Sequence, residues 1–146
     1  MKKKEEIYLQ RLDDNDLTKI LDMIYSDEDL KKTFIGEKNT RSRLLNSIYA
    51  AIIKKENTDI GFVMLVDNER TNKSEIDMGI LKAYRNKGYG TEVLRQLKSI
   101  IISNELDIEI QIKKLNMGAI KSVLNNGFVL KSQNQECNYY GIDRKR

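Results

Sequence analysis

The sequence predicts a mixed α/β fold of about six to seven strands and about four helices, occupying residues 1–146 as a single domain. Three observations carry that expectation. Segments that alternate apolar and polar residues, with the period of a strand, recur from one end of the chain to the other. Between them lie segments with apolar residues at i, i+3, i+4 and i+7, the period of a helix. The 146 residues include no proline and no repeat, so nothing marks a rigid linker, and the length suits one domain.

Each element has a local reason. "IYLQRL" (7–12) alternates as a first strand, and Asp13 or Asp14 is placed to cap a helix carrying Leu17, Ile20, Leu21 and Ile24 on one face. A second helix is predicted from Thr40 to about Ser47. "YAAIIKK" (49–55) and "IGFVMLV" (60–66) flank Glu56-Asn57-Thr58-Asp59, a four-residue hairpin connection. "EIDMGIL" (75–81) alternates, with Ile76, Met78 and Ile80 expected to face inward and Glu75, Asp77 and Gly79 outward. From Tyr89 the period becomes helical, with Val93, Leu94, Leu97, Ile100 and Ile101 in one stripe to about Ser103. "DIEIQIK" (107–113) alternates again, Ile108, Ile110 and Ile112 inward. Asn116 suits the cap of a short helix through Asn125, and Gly127 its stop. "FVLKS" (128–132) and "ECNYYGID" (136–143) complete the strands. The order β-α-α-β-β-β-α-β-α-β-β predicts a mixed sheet, not a regular parallel one.

Composition narrows the chemistry. The chain has no histidine, which removes Ser–His and Cys–His nucleophile pairs and nearly every zinc site. A single cysteine, Cys137, excludes an internal disulfide and fits a reducing cytoplasm. No apolar run approaches the ~20 residues that span a bilayer, and Glu5 and Glu6 stand where a signal peptide would be apolar. The net charge is +4, yet residues 13–29 hold seven acids against Lys19 alone. The basic remainder raises a nucleic-acid role as one reading and ordinary solvated surface as the other, with Lys2–Lys4 and Arg144–Arg146 read as solubilising tails.

The stretch "YRNKGYGTEVLRQL" (84–97) joins a strand to a helix through Gly88 and Gly90, with Arg85 and Lys87 beside them. Consecutive backbone N–H groups at a helix N-terminus make an anion site, and phosphate is its natural tenant. The run fits neither a P-loop nor a dinucleotide fingerprint, since Val93 stands where the third glycine would be. A plain glycine turn remains the other reading.

Arg85-x-x-Gly88-x-Gly90 after an alternating strand resembles the pyrophosphate loop of the GNAT superfamily, the acetyl-CoA-dependent N-acetyltransferases. "NTDIGFVML" is similar to the start of that family's third strand. Thr91-Glu92 after the glycines resembles its ribosomal-protein acetyltransferase branch, and "NMGAIKSVLNNGF" (116–128) resembles its second motif. The element order is also that family's order. The resemblance implies a mainly antiparallel sheet, splayed between the strands at 75–81 and 107–113. It implies acetyl-CoA as cosubstrate, no metal, and a pyrophosphate held by backbone amides across Arg85, Asn86, Lys87, Gly88, Tyr89, Gly90 and Thr91. The pantetheine arm would pair with the strand edge near Ile80 and Leu81, and Asn116 would touch it. Asn86 stands where many relatives have glycine, and Val123 where many have a tyrosine that protonates the leaving thiolate.

Direct attack of an amine on a thioester needs no protein nucleophile, which suits a chain without histidine. Glu75 is the first candidate to accept the amine proton, then Asp77, with Glu109 third, and a backbone N–H near Ile80 would stabilise the developing oxyanion. Tyr139 or Tyr140 would replace the missing acid, or each is an ordinary packed aromatic. Asp27, Glu28 and Asp29, in an irregular stretch before Phe34, are candidate contacts for a cationic acceptor. The expected partner is a small amine or a peptide N-terminus, with a homodimer an open possibility and no membrane. A CoA-binding relative with little turnover, favoured by Val123, and a nucleic-acid-binding protein are the alternatives.

Overall fold

The computed structural model describes residues 7–13, 16–37 and 40–143; the terminal basic tails and Asp14 lie outside them. Seven strands run in the order β1-β2-β3-β4-β5-β7-β6, the middle pair β4–β5 being parallel. They are β1 Ile7–Arg11, β2 Ser47–Lys55, β3 Thr58–Asn68, β4 Lys73–Ile80, β5 Ile108–Lys113, β6 Phe128–Gln133 and β7 Cys137–Ile142. The five α-helices are α1 Thr18–Tyr25, α2 Glu28–Lys31, α3 Thr40–Leu45, α4 Tyr89–Ser103 and α5 Met117–Asn125. The mixed α/β class and the mainly antiparallel sheet are as expected, with one helix more. Two compact units share this chain: one takes the residues up to Val66 with Asp77–Tyr89, the other Asp67–Ile76 with Gly90 onward.

In the first unit, β1, β2 and β3 form an antiparallel meander. Lys55 pairs with Thr58, so the β2–β3 hairpin turns on Glu56-Asn57 alone, two residues where four were expected. Glu56 takes the left-handed conformation (φ 55°) that such tight hairpins need. Strand β3 is buried on both faces from Ile60 to Val66, which explains its unbroken apolar run. Ile20, Ile24, Leu30, Phe34, Phe62 and Met64 lie at the centre of the core, and Phe34 meets Phe62 edge to face at 5.1 Å between centroids.

Two expectations in this unit are corrected. Helix α1 begins at Thr18 after Leu17, without a side-chain cap; Asp13 instead accepts through its carbonyl from the Asp16 N–H, making a turn ahead of the helix. The stretch read as irregular before Phe34 is helical: α2 is followed by a π-helical segment over Lys32–Glu37. Wide π turns carry no i+3/i+4 stripe, so periodicity cannot announce them.

The second unit is built on β5, β7 and β6, antiparallel to one another. Ile108, Ile110 and Ile112 are buried as the alternation predicted, and α4 buries Val93, Leu94, Leu97 and Ile101. Asn116 caps α5 by accepting the Ala119 N–H at 3.2 Å. Gly127 stops that helix with φ +81°. Lys98 from α4 donates to the Asn126 carbonyl at 2.6 Å and lies 5.5 Å over the Phe128 ring, placing a cation at the negative end of α5.

Candidate functional site

The loop between β4 and α4 is assembled from short-range turns. A 3-10 turn at Lys82–Tyr84 follows Leu81, whose own N–H is committed to the Ile60 carbonyl of β3 at 2.9 Å. Strand geometry directs alternate N–H groups to opposite edges, so the Ile80 N–H points away from β3. Asn86 (φ 62°) and Gly88 (φ 85°) then take left-handed conformations on either side of Lys87, and all three are exposed. Asn86 thus does adopt the conformation its tolerance allowed. Alternating handedness turns successive N–H groups toward one side, the geometry of an anion-binding nest, and α4 starts at the next residue, Tyr89. A Cβ built on Gly88 would meet nothing within 4 Å. The glycine therefore serves the left-handed turn and leaves open space over the backbone.

The first turn of α4 is fastened from α5. Thr91 Oγ1 and Ser122 Oγ are 2.7 Å apart, and Asn126 Nδ2 donates to the carbonyls of Thr91 (3.1 Å) and Ser122 (3.0 Å). Asn126 was missed by sequence reasoning; its neighbour Gly127 drew attention as the helix stop. Val123, at the position of the absent tyrosine, is buried, and Asn116 is exposed at the start of α5.

Arg85 does not lie open to a ligand. Its Nε donates to the Ile80 carbonyl at 2.8 Å, Nη2 to Asp27 Oδ1 at 2.7 Å and Nη1 to Asp29 Oδ2 at 2.7 Å. Asp27 also caps α2, accepting from the N–H groups of Asp29 and Leu30 at 3.1 Å each, and takes the Lys82 N–H at 3.0 Å. Burial works against ionisation of Asp27, yet the bonds from Arg85, Leu30 and Lys82 outweigh it and hold its carboxyl below the usual 3.8. Two of the acids expected to meet a cationic acceptor, Asp27 and Asp29, are thus engaged by an arginine 56 to 58 residues away. Glu28 is mostly exposed and pairs with Lys31 at 3.4 Å.

On β4 the expected faces are exchanged. Asp77 and Gly79 are buried, while Ile76, Met78 and Ile80 are half-buried. Arg43 of α3, which sequence reasoning did not single out, causes part of this: its Nε and Nη2 grip both Asp77 carboxylate oxygens. Leu30 and Phe62 pack against Gly79 on the same strand face. Both Asp77 oxygens are thus engaged by a guanidinium.

Glu75 is different. It is half-buried, its Oε2 accepts from Asn68 Nδ2 at 3.0 Å, and it stands in register with Glu109 of β5. Glu109 is 3.7 Å from Lys73, and Gln111 pairs in register with Tyr139. Register and alternation thus place Glu75, Glu109, Gln111 and Tyr139 on one face of the second unit's sheet. Tyr139 Oη accepts from Asn134 Nδ2 at 3.1 Å. Tyr140 turns to the opposite face, buried in register with Ile110, its Oη taking Asn138 Nδ2 at 3.0 Å. Gln111 was missed, although the Ile108-Ile110-Ile112 alternation puts it beside Glu109. Cys137 is buried, and Gln111 Nε2 donates to its sulfur at 3.3 Å. A cavity of about 490 Å³ lined by Lys73, Asp107, Ile108, Lys131 and Ile142 opens at the first residue of β4. The β4–β5 register consists of two pairs, Ser74 with Ile108 and Glu75 with Glu109.

Comparison with known proteins agrees with this geometry. The profile of the acetyltransferase (GNAT) domain matches residues 4–129. No curated protein sequence matches the chain. Among solved structures, a putative phosphinothricin N-acetyltransferase superposes with a TM-score of 0.71 at 16% identity, covering 97% of this chain and 100% of its own. The ribosomal L7/L12 alpha-N-protein acetyltransferase RimL in complex with coenzyme A gives 0.71 at 12% identity, with 97% of each chain covered. Mutant forms of the spermidine/spermine N-acetyltransferase SpeG from Vibrio cholerae give 0.67 at 16% identity, covering 95% of this chain and 94% of theirs.

Proposed function

Because the chain belongs to the acetyltransferase (GNAT) family, we propose that it transfers an acetyl group from acetyl-CoA to a primary amine by direct attack, with the loop after β4 binding the cofactor. The observation that carries the cofactor site is Gly88: a left-handed, exposed residue with open space where a side chain would stand, one residue before α4. That is a cradle suited to close approach by a phosphate. The N–H groups of Gly88 to Thr91 and the Lys87 ammonium supply the donors. Acetyl-CoA, when bound, supplies an activated thioester.

The residues of the chain do the rest. Glu75 takes the amine proton at a carboxylate oxygen, through water, while Asn68 holds its Oε2 and fixes the side chain. The Ile80 N–H, directed away from β3, supports negative charge developing on an acyl oxygen. Tyr139 gives a proton to the departing thiolate; its partial exposure and its face, shared with Glu75, favour it over the buried Tyr140. Holding both reactants in place contributes up to roughly 7–11 kcal/mol in ideal cases. The whole chain acts as one catalytic domain in the cytoplasm, without a metal. Two of the solved structures named above are a spermidine/spermine N-acetyltransferase and an alpha-N-protein acetyltransferase, so both acceptor classes belong in the assay.

The test is release of free CoA across a panel of polyamines, N-terminal peptides, amino acids and aminoglycosides. Turnover with at least one cationic amine, reduced in Glu75→Gln at neutral pH and recovered as pH rises, is the expected result. Turnover unchanged by Glu75→Gln at every pH would remove Glu75 from the mechanism. Binding of acetyl-CoA without turnover of any amine would favour the weakly catalytic alternative.

A further inference from the structure

We infer that Asp27 and Arg85 form a brace that positions the cofactor loop, so that Arg85 serves acetyl-CoA through the loop backbone and not as a phosphate ligand. This rests on the acetyl-CoA reading above. By residue type, an arginine two positions before Lys87 invites assignment to phosphate. Its surroundings say otherwise.

Three of the guanidinium's donors are already satisfied, by the last carbonyl of β4 and by two carboxylates, with bonds of 2.7–2.8 Å. Such short bonds between ionised groups are the strong kind. With two carboxylates on one guanidinium the cluster carries a net negative charge, so a phosphate would have to displace an anion to reach it. The phosphate donors that remain in this stretch are the backbone N–H groups and the exposed Lys87.

Asp27 is equally committed. Its side chain is nearly buried, and its two oxygens accept from four groups: two N–H groups of α2, the Lys82 N–H that opens the 3-10 turn, and Arg85. Helix α2 has four residues, too few to persist without outside support. The loop, for its part, contains a left-handed non-glycine residue, Asn86, one position after Arg85, and such backbone persists only where its surroundings determine it. One carboxylate therefore fastens two weak elements to each other. Asp29, mostly exposed, is the lesser arm, since solvent screens it. The fork of Arg85 reaches three acceptors in one plane, which the single ammonium of a lysine cannot reproduce.

Asp27→Asn is the discriminating variant, because asparagine caps helices as well as aspartate and so spares α2 while removing the charge. The full-length chain, Asp27→Asn, Arg85→Lys and the double variant are titrated calorimetrically with CoA and with 3′-dephospho-CoA. Amide hydrogen exchange over residues 82–88 is followed without ligand. The brace predicts that each single variant weakens binding by about tenfold or more, the scale of loss that follows a small misplacement of a site. The factor should be the same for both forms of CoA, and the double variant no weaker than the worse single one. Loop amides should exchange faster in both variants while those of β5 and α5 keep their rates. Tighter or unchanged CoA binding in Asp27→Asn beside a loss in Arg85→Lys would make Arg85 a phosphate ligand and overturn the brace, as would loop exchange equal to the parent's. A parent chain that binds no CoA, with loop exchange responding as stated, would sink the acetyl-CoA reading and leave the brace standing.

Discussion

Gly88 and Gly127 hold nearly the same left-handed backbone, φ 85° and 81°, yet a Cβ added to the first meets nothing within 4 Å and one added to the second meets the Lys98 nitrogen at 2.7 Å. The first precedes a helix and the second ends one. Gly127 is closed by the lysine that neutralises the end of α5; Gly88 opens onto space beside a row of N–H groups. The same division separates two acids of β4. Asp77 is closed by Arg43, whereas Glu75 is half-buried and held at one oxygen by an amide. Residue type and backbone angle do not tell a structural position from a functional one. What surrounds the group does.

If the closed positions serve the fold, breaking one should cost stability without touching cofactor affinity. Arg43→Met removes the guanidinium from the buried Asp77 carboxylate, which should cost about 3–5 kcal/mol. Thermal unfolding reads this directly, and a loss below about 1 kcal/mol, the scale of an exposed pair, would mean that the bond is incidental. At Glu75 the effect should fall on rate instead. Glu75→Gln should lower turnover by about 10²-fold at neutral pH, less at higher pH where the amine deprotonates unaided, with acetyl-CoA binding and unfolding temperature near the parent's.

Gly127→Ala should be felt next, by about 2 kcal/mol: backbone strain together with displacement of Lys98 from the Asn126 carbonyl and the Phe128 ring. Acetyl-CoA affinity should not change in this variant. An equal loss of affinity would blur the division between the two glycines. The smallest effect concerns acid. Asp27 has a depressed carboxyl in the folded chain, so its contribution is present above the ordinary value of 3.8 and is lost as pH falls through the folded value. Asp27→Asn should therefore flatten the stability profile below about pH 4 and nowhere else. A parent and variant with parallel acid limbs would show that the carboxylate is not held as described.

The division between what the sequence revealed and what it hid follows range. Helix α4 begins at Tyr89 and ends at Ser103 as the apolar stripe predicted, and α5 is bounded by its Asn116 cap and its Gly127 stop. Those signals lie within a few residues of the features they announce. The exchanged faces of β4 were not legible, because Ile76, Met78 and Ile80 alternate as an inward set would. The buried face holds Asp77 against Arg43, 34 residues earlier, and Gly79 against Leu30 and Phe62. Likewise the acids at 27–29 read as open negative charge until Arg85 was brought to them. The glycine loop was legible as a motif, but the carboxylate partners of its arginine were not, for the same reason: they are distant in sequence. Glu75 was singled out by its place on a strand, and the register that sets Glu109, Gln111 and Tyr139 on its face came from pairings that one strand's pattern cannot show.

The central claim is that the open glycine marks the cofactor site, and thermal unfolding of the parent and Gly88→Ala with and without acetyl-CoA tests it most directly. The variant should fold with a loss of only about 1 kcal/mol, since its new Cβ meets no neighbour and bears only the left-handed backbone. Acetyl-CoA at 100 times its Kd should stabilise the parent by about 2.7 kcal/mol. At the same concentration Gly88→Ala should gain little or nothing. A parent that acetyl-CoA does not stabilise, or a variant stabilised as much as the parent, would contradict the account.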